Sequence, residues 1–152
     1  MSESPDLERF VRAQDAGGSY TKARTEIRAG AKSSHWIWYV FPQIAGLGRS
    51  FMSRDFAISD LDEARAFLAH PVLGRRLREI TALANEHATS SARDIFSWDD
   101  VKFHSCVTLF SLAAPEDQIF RAALDLFFNG ALDERTEVIL ATQTSTHQSE
   151  SE

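Results

Sequence analysis

One cysteine, Cys106, stands in a chain of 152 residues, so no disulfide can form within it. No apolar run approaches the ~20 residues that a membrane-spanning helix requires. The acidic start Met1-Ser2-Glu3-Ser4-Pro5-Asp6 lacks the basic and then apolar pattern of a secretory leader. Basic residues are the minority, 16 Lys and Arg against 22 Asp and Glu, for a formal charge of −6. They are scattered among acids. The densest group, Arg75-Arg76-Leu77-Arg78, is followed at once by Glu79 and reads as a solvated helix face, not as a footprint for phosphate backbone. Nucleic acid and membrane are therefore not expected as partners, and a soluble cytoplasmic protein is. The histidines at 35, 70, 87, 104 and 147 share no ligand spacing with one another or with Cys106, so neither a metal nor a cofactor is expected.

What the chain does have is phenylalanine, eleven of them spread from Phe10 to Phe128. Rings this widely spaced imply one core that draws on most of the chain. Apolar residues recur at helical spacing throughout. Ser4-Pro5-Asp6 reads as a helix start, with Leu7, Phe10 and Val11 following and Gly17-Gly18 ending it. Tyr20, Ala23 and Ile27 carry a second helix to Gly30. Ser59-Asp60 caps a third that stops at His70-Pro71, and Leu73, Leu77 and Ile80 mark a fourth. Ser97-Trp98-Asp99-Asp100 opens a long helix to Ala113. Pro115-Glu116-Asp117 starts another, ended by Asn129-Gly130, and a short helix is expected from Glu134 to Leu140. The expectation is an all-α fold, a single compact domain of seven or eight helices over residues 5–141. It is flanked by a flexible start (1–4) and a disordered polar tail (142–152).

The stretch Ser34-His35-Trp36-Ile37-Trp38-Tyr39-Val40-Phe41-Pro42-Gln43 is the most distinctive. It holds two of the three tryptophans, one of the two tyrosines and one of the five histidines. Its residue types suit a strand, yet it does not alternate cleanly. Pro42 pushes Phe41 out of helical geometry, so any helix here is short and stops near Val40. Together with Gly46-Leu47-Gly48-Arg49-Ser50, with His70-Pro71-Val72-Leu73-Gly74-Arg75-Arg76-Leu77 and with Asp100-Val101-Lys102-Phe103-His104-Ser105-Cys106, this block resembles the bacterial family catalogued as DUF 1810. The resemblance spans roughly residues 6 to 140. It implies a compact, mainly helical single domain and brings no established activity. Some members of that family carry the label calpastatin, but calpastatin inhibitory segments resemble chains that fold only on their target. Sixteen aromatic residues in a full core pattern argue against that reading here.

Aromatic surface beside a few fixed polar groups is how small-molecule sites are lined. The candidates for such a site are Ser34, His35, Trp36, Trp38, Gln43, Arg49, Lys102 and Ser105. His35 among indoles suits a general base or a stacking partner. Lys102, one turn before Ser105, would offer an ammonium and a hydroxyl to one anionic or carbonyl ligand, and these three are the catalytic candidates. Gln43 after Pro42 would give a rigidly placed amide, and Arg49 in its glycine turn a counter-charge for phosphate. Against each stands a plain structural role: a core histidine, a snorkelling lysine, a serine bonded back to its own helix. Lysine then serine on a late helix after an early histidine–aromatic motif is also loosely similar to the NADAR family of ADP-ribose N-glycosidases, without that family's early glutamate–histidine pair. Two readings stay open. One is a site for a small planar anion, such as a nucleotide or an ADP-ribose-like compound, between the aromatic block and the Lys102 helix. The other is a non-catalytic interaction domain whose aromatic block only builds the core.

Overall fold

The long helix after Trp98, here α8 (Asp100–Ala113), is the axis around which the other elements pack. Eight of its fourteen residues are buried, including the polar Ser105 and Thr108, so it is enclosed on nearly all sides and not along one stripe. The computed structural model describes residues 6–151, and side chains to 144. The helix start at Ser4-Pro5 and the flexible 1–4 segment expected from the sequence lie outside the described residues.

Among the described residues the fold is all-α, with no strand beyond a single isolated bridge, Ile44 with Ile58. α1 (Glu8–Asp15) and α2 (Ser19–Ala29) are joined by one 3-10 turn. The aromatic block yields only α3 (Ile37–Val40), which stops before Pro42 as expected, with Phe41 at φ −123° and ψ 72°. α5 (Leu61–Ala69) is capped by Asp60, and α6 (Leu73–Asn85) follows the His70-Pro71 break. α9 (Gln118–Phe128) ends on Asn129 in the left-handed region, a conformation asparagine tolerates. Two short helices escape the periodicity. α4 (Phe51–Asp55) is capped by Ser50, and α7 (Ala92–Phe96) by a Ser91–Asp94 capping box. α10 (Glu134–Ser151) is longer than the helix to Leu140 that the sequence suggests. Within it the Thr142 and Thr144 hydroxyls donate to the carbonyls four residues earlier, and Gln143 donates to the Ser59 carbonyl at 2.8 Å.

Polar side chains fix the helix ends against one another. His70 Nδ1 accepts from the N–H groups of Val72 and Leu73 at 3.1 and 3.3 Å, capping α6. Its Nε2 therefore carries the proton and donates to Glu8 at 2.9 Å. Buried Gln14 donates to the Tyr39 carbonyl at 2.8 Å and accepts from Arg76 at 3.1 Å, which clamps α1, α3 and α6. The excursion from Gln43 to Ile58 is pinned by arginines from both ends of the chain. Arg9 donates to the carbonyls of Asp55 and Ala57, and Arg135 to that of Leu47.

Aromatic rings carry the block onto α8. Phe41 meets Phe96 and Phe103 edge-on at 5.5 and 5.2 Å, and Phe96 stacks on Phe103 at 4.2 Å. Two stretches some sixty residues apart are thereby held together.

Candidate functional site

Where the block meets α8, charged groups surround Trp36. Glu26, on α2, accepts four hydrogen bonds from the segment that leads into the block. They come from the N–H groups of Ser33 and Ser34 (2.7 and 2.9 Å), the Ser34 hydroxyl (2.6 Å) and the Trp36 indole (2.9 Å). Burial alone would raise its pKa, but these donors outweigh burial and bring it from 4.5 down to about 2. A folded-state pKa below the unfolded value means the unfolded chain binds the proton more tightly. The resulting stability is present above pH 4.5 and is lost as pH falls towards 2. An acid titration of the unfolding free energy is expected to lose about 1–2 kcal/mol across that window through Glu26, since solvent screens this partly exposed carboxylate. The same titration of Glu26→Gln should lack that component.

Lys32 lies under the same indole. Its ammonium sits 4.9 Å from the Trp36 ring and 2.8 Å from Asp99, with only 7% of the side chain exposed. Lys102 reaches the other oxygen of Asp99 at 3.2 Å. Burial pushes Asp99 up, but the two ammonium groups prevail and hold it below the usual aspartate range. Asp99 is thus clasped between a buried and a partly exposed lysine at the entry to α8. The backbone is joined here as well, since Lys32 N–H donates to the Ile95 carbonyl of α7 at 2.7 Å.

Two residues, Ser97 and Trp98, lie between α7 and Asp99, and Trp98 is 77% exposed. Ser97 before it has φ 54° and ψ −133°, a conformation that strains any residue but glycine by about 1–3 kcal/mol. That turn sends Asp99 inward to the lysines and Trp98 outward. Arg93 of α7 lies 4.2 Å from the Trp98 ring and is itself paired with Asp100 at 3.1 Å. The indole is therefore backed on one side and open elsewhere.

The other sequence candidates are dispersed. Ser34 joins Trp36 on Glu26, but the His35 side chain between them is exposed. Trp36 is only 1% exposed, with Lys32 over its ring, so it offers no free face for a ligand. Trp38 and Gln43 line a hollow of only about 10 Å³ with Leu47, Gly48 and Ser53, in which the Trp38 indole N–H finds no protein partner. That space suits one water molecule. Arg49 is exposed on its loop. Ser105 bonds back to the Val101 carbonyl and to Asp133, both at 3.1 Å, so it ties α8 to α10 and makes no pair with Lys102. Cys106 is fully buried, and burial pushes its thiol well up, which makes it a poor nucleophile. Among the described residues no helix is long and apolar enough to cross a membrane, and no cluster of three metal-ligating side chains occurs.

Glu26, Lys32, Trp98 and Asp99 are the site residues that sequence reasoning missed. Trp98 did carry a signal: it falls outside the Phe103, Val107, Phe110 period, so the core has no use for it.

Residues 4–140 match the family described as "Protein of unknown function (DUF1810)", and the chain belongs to it. It is similar to the conserved hypothetical protein Rv1873 from Mycobacterium tuberculosis, whose crystal structure was solved at 1.38 Å. The identity is 44% over 90% of this chain and 96% of that one, with a TM-score of 0.86. No curated protein matches the chain.

Proposed function

We propose that this chain binds a small planar anion, of nucleotide or ADP-ribose type, where the aromatic block meets the start of α8. The observation that carries this reading is Trp98, an exposed indole backed by Arg93 and presented by a strained turn one helical turn before Lys102. Stacking of a base on such a ring contributes about 1–3 kcal/mol. Lys102, with 33% of its side chain exposed, is the ammonium that a phosphate reaches from solvent. The stacking role thus falls to Trp98 and not to the enclosed Trp36. Lys32 and Glu26 act as positioning residues, holding Asp99 and the 33–36 segment in place.

A second reading has its own support. Val101 is 50% exposed three residues after Trp98, and together they form an apolar strip of the kind a partner protein buries around a tryptophan.

Thermal-shift screening with nucleotides, ADP-ribose and the matching nucleosides tests the first reading. Phosphate-bearing planar compounds are expected to raise the melting temperature, and nucleosides much less. Trp98→Ala should weaken binding by about tenfold or more while leaving the melting temperature of the free protein near that of the parent. Stabilisation by no compound of the panel would overturn the reading in favour of the second.

A further inference from the structure

At the opposite end of α8 from Lys102 lies a groove of about 520 Å³, within the size range of small-molecule sites. It opens where α5, α6 and the corner between α8 and α9 meet. Leu68, Ala113, Ala114 and Pro115 give it apolar surface, and its charged lining residues are Arg65, Arg78 and Glu116.

Both guanidinium groups are held across the ends of helices. Arg65 Nε donates to the Ala113 carbonyl at the end of α8, 3.0 Å away, and Arg78 Nη1 to the Leu68 carbonyl at the end of α5, at 3.3 Å. Gly74 makes the second contact possible, since a β-carbon there would lie 3.0 Å from Arg78 Nη1 and 2.0 Å from the Leu68 oxygen. Glycine inside a helix is unfavourable, so the chain accepts a local cost to bring α6 against the Leu68 carbonyl that Arg78 also reaches. Each guanidinium also meets one carboxylate, Arg65 with Asp62 (3.1 Å) and Arg78 with Asp117 (2.6 Å). The Nη2 group of each has no protein acceptor among the described residues. Two fixed forks with donors to spare match a carboxylate. Asp62, Asp117 and Glu116 make the surroundings poor for a dianion, while Glu116, exposed and in the lining, matches an ammonium.

From this combination we infer that the groove is a second binding site, for a small zwitterion of the amino-acid class with an apolar side chain. The carboxylate meets Arg65 and Arg78, the ammonium meets Glu116, and the side chain lies on Leu68, Ala113 and Pro115. The inference is independent of the Trp98 site.

Backbone amide shift mapping with L-leucine, L-methionine, L-valine and L-phenylalanine tests it. At least one is expected to shift the amides of Leu68, Ala69 and Ala114 in a saturable way. N-acetyl-leucine, which lacks the ammonium, and leucinamide, which lacks the carboxylate, should each bind about tenfold more weakly or less. Arg65→Gln and Glu116→Gln should produce the same loss and Trp98→Ala none. Arg65 and Glu116 are both exposed, so these variants keep the fold, and either one suffices should the other fail. No saturable shift with any of the four amino acids at about 10 mM, well beyond a millimolar affinity, would overturn the inference. So would equal binding of the two blocked analogues, or unchanged binding to both variants.

Discussion

Glu26→Ala is expected to lower the unfolding free energy by about 3–5 kcal/mol, a large share of a typical domain's stability. The carboxylate satisfies four donors at once, and the Trp36 indole is too deeply buried to find water instead. Removing an acceptor from buried donors costs more than the net worth of the bonds themselves, because the donors stay desolvated. Urea unfolding should show a lower midpoint with an unchanged slope. The assignment can be checked by coupling. In a Trp36→Phe background, which lacks the indole donor, the alanine substitution should cost measurably less. Equal costs in both backgrounds would mean that the indole contributes nothing to the penalty.

Gly74→Ala is the second large effect, and its sign runs against propensity. Glycine to alanine inside a helix ordinarily gains up to ~1 kcal/mol. Here the new β-carbon would stand 2.0 Å from the Leu68 carbonyl oxygen and 2.8 Å from its carbon. Backbone cannot swing aside as a side chain can, so α6 must move off the end of α5. We expect a loss of about 3 kcal/mol or more, the upper range for overpacking, read as a fall in melting temperature. Adding Arg78→Ala, which clears the flexible neighbour 3.0 Å away, should restore little. Recovery in the double variant would show that the guanidinium, not the carbonyl, is the obstacle.

These two residues mark the boundary of what the sequence makes legible. Helix ends written in local chemistry were readable: Gly30, the Asp60 cap, the His70-Pro71 break, Asn129-Gly130 and the stop imposed on Phe41 by Pro42. α4 and α7 were not, because five residues are too few to show a period, although the Ser91–Asp94 box was visible in principle. α10 outruns its apolar pattern, and the bond from Gln143 to the Ser59 carbonyl that ties it down leaves no periodic trace. Gly74 has no local signal in the His70–Leu77 stretch, since its reason is a carbonyl in another helix.

The site shows the same division. The meeting of the aromatic block with α8 was anticipated, and ring packing of Phe41 on Phe103 delivers it. Which side chains face each other there depends on partners distant in sequence. Glu26 draws Ser34 and Trp36 inward, and Asp99 draws Lys32 and Lys102 together. The Asp133 hydrogen bond turns Ser105 towards α10. Lys102 and Asp99 stand at helical i,i+3 spacing, but the Lys32–Asp99 pair has no spacing rule, so the sequence could offer Lys32 but not its partner.

The functional account rests on Trp98 being the surface on which a ligand stacks, and its fluorescence reports on that directly. In a Trp38→Phe variant the two remaining indoles are Trp36, 1% exposed, and Trp98, 77% exposed, so a change in solvent-facing emission belongs to Trp98. Titration with ADP-ribose or a nucleotide that stabilises the protein is expected to quench that emission saturably. Saturating ligand that raises the melting temperature and leaves the Trp98 emission unchanged would contradict the account.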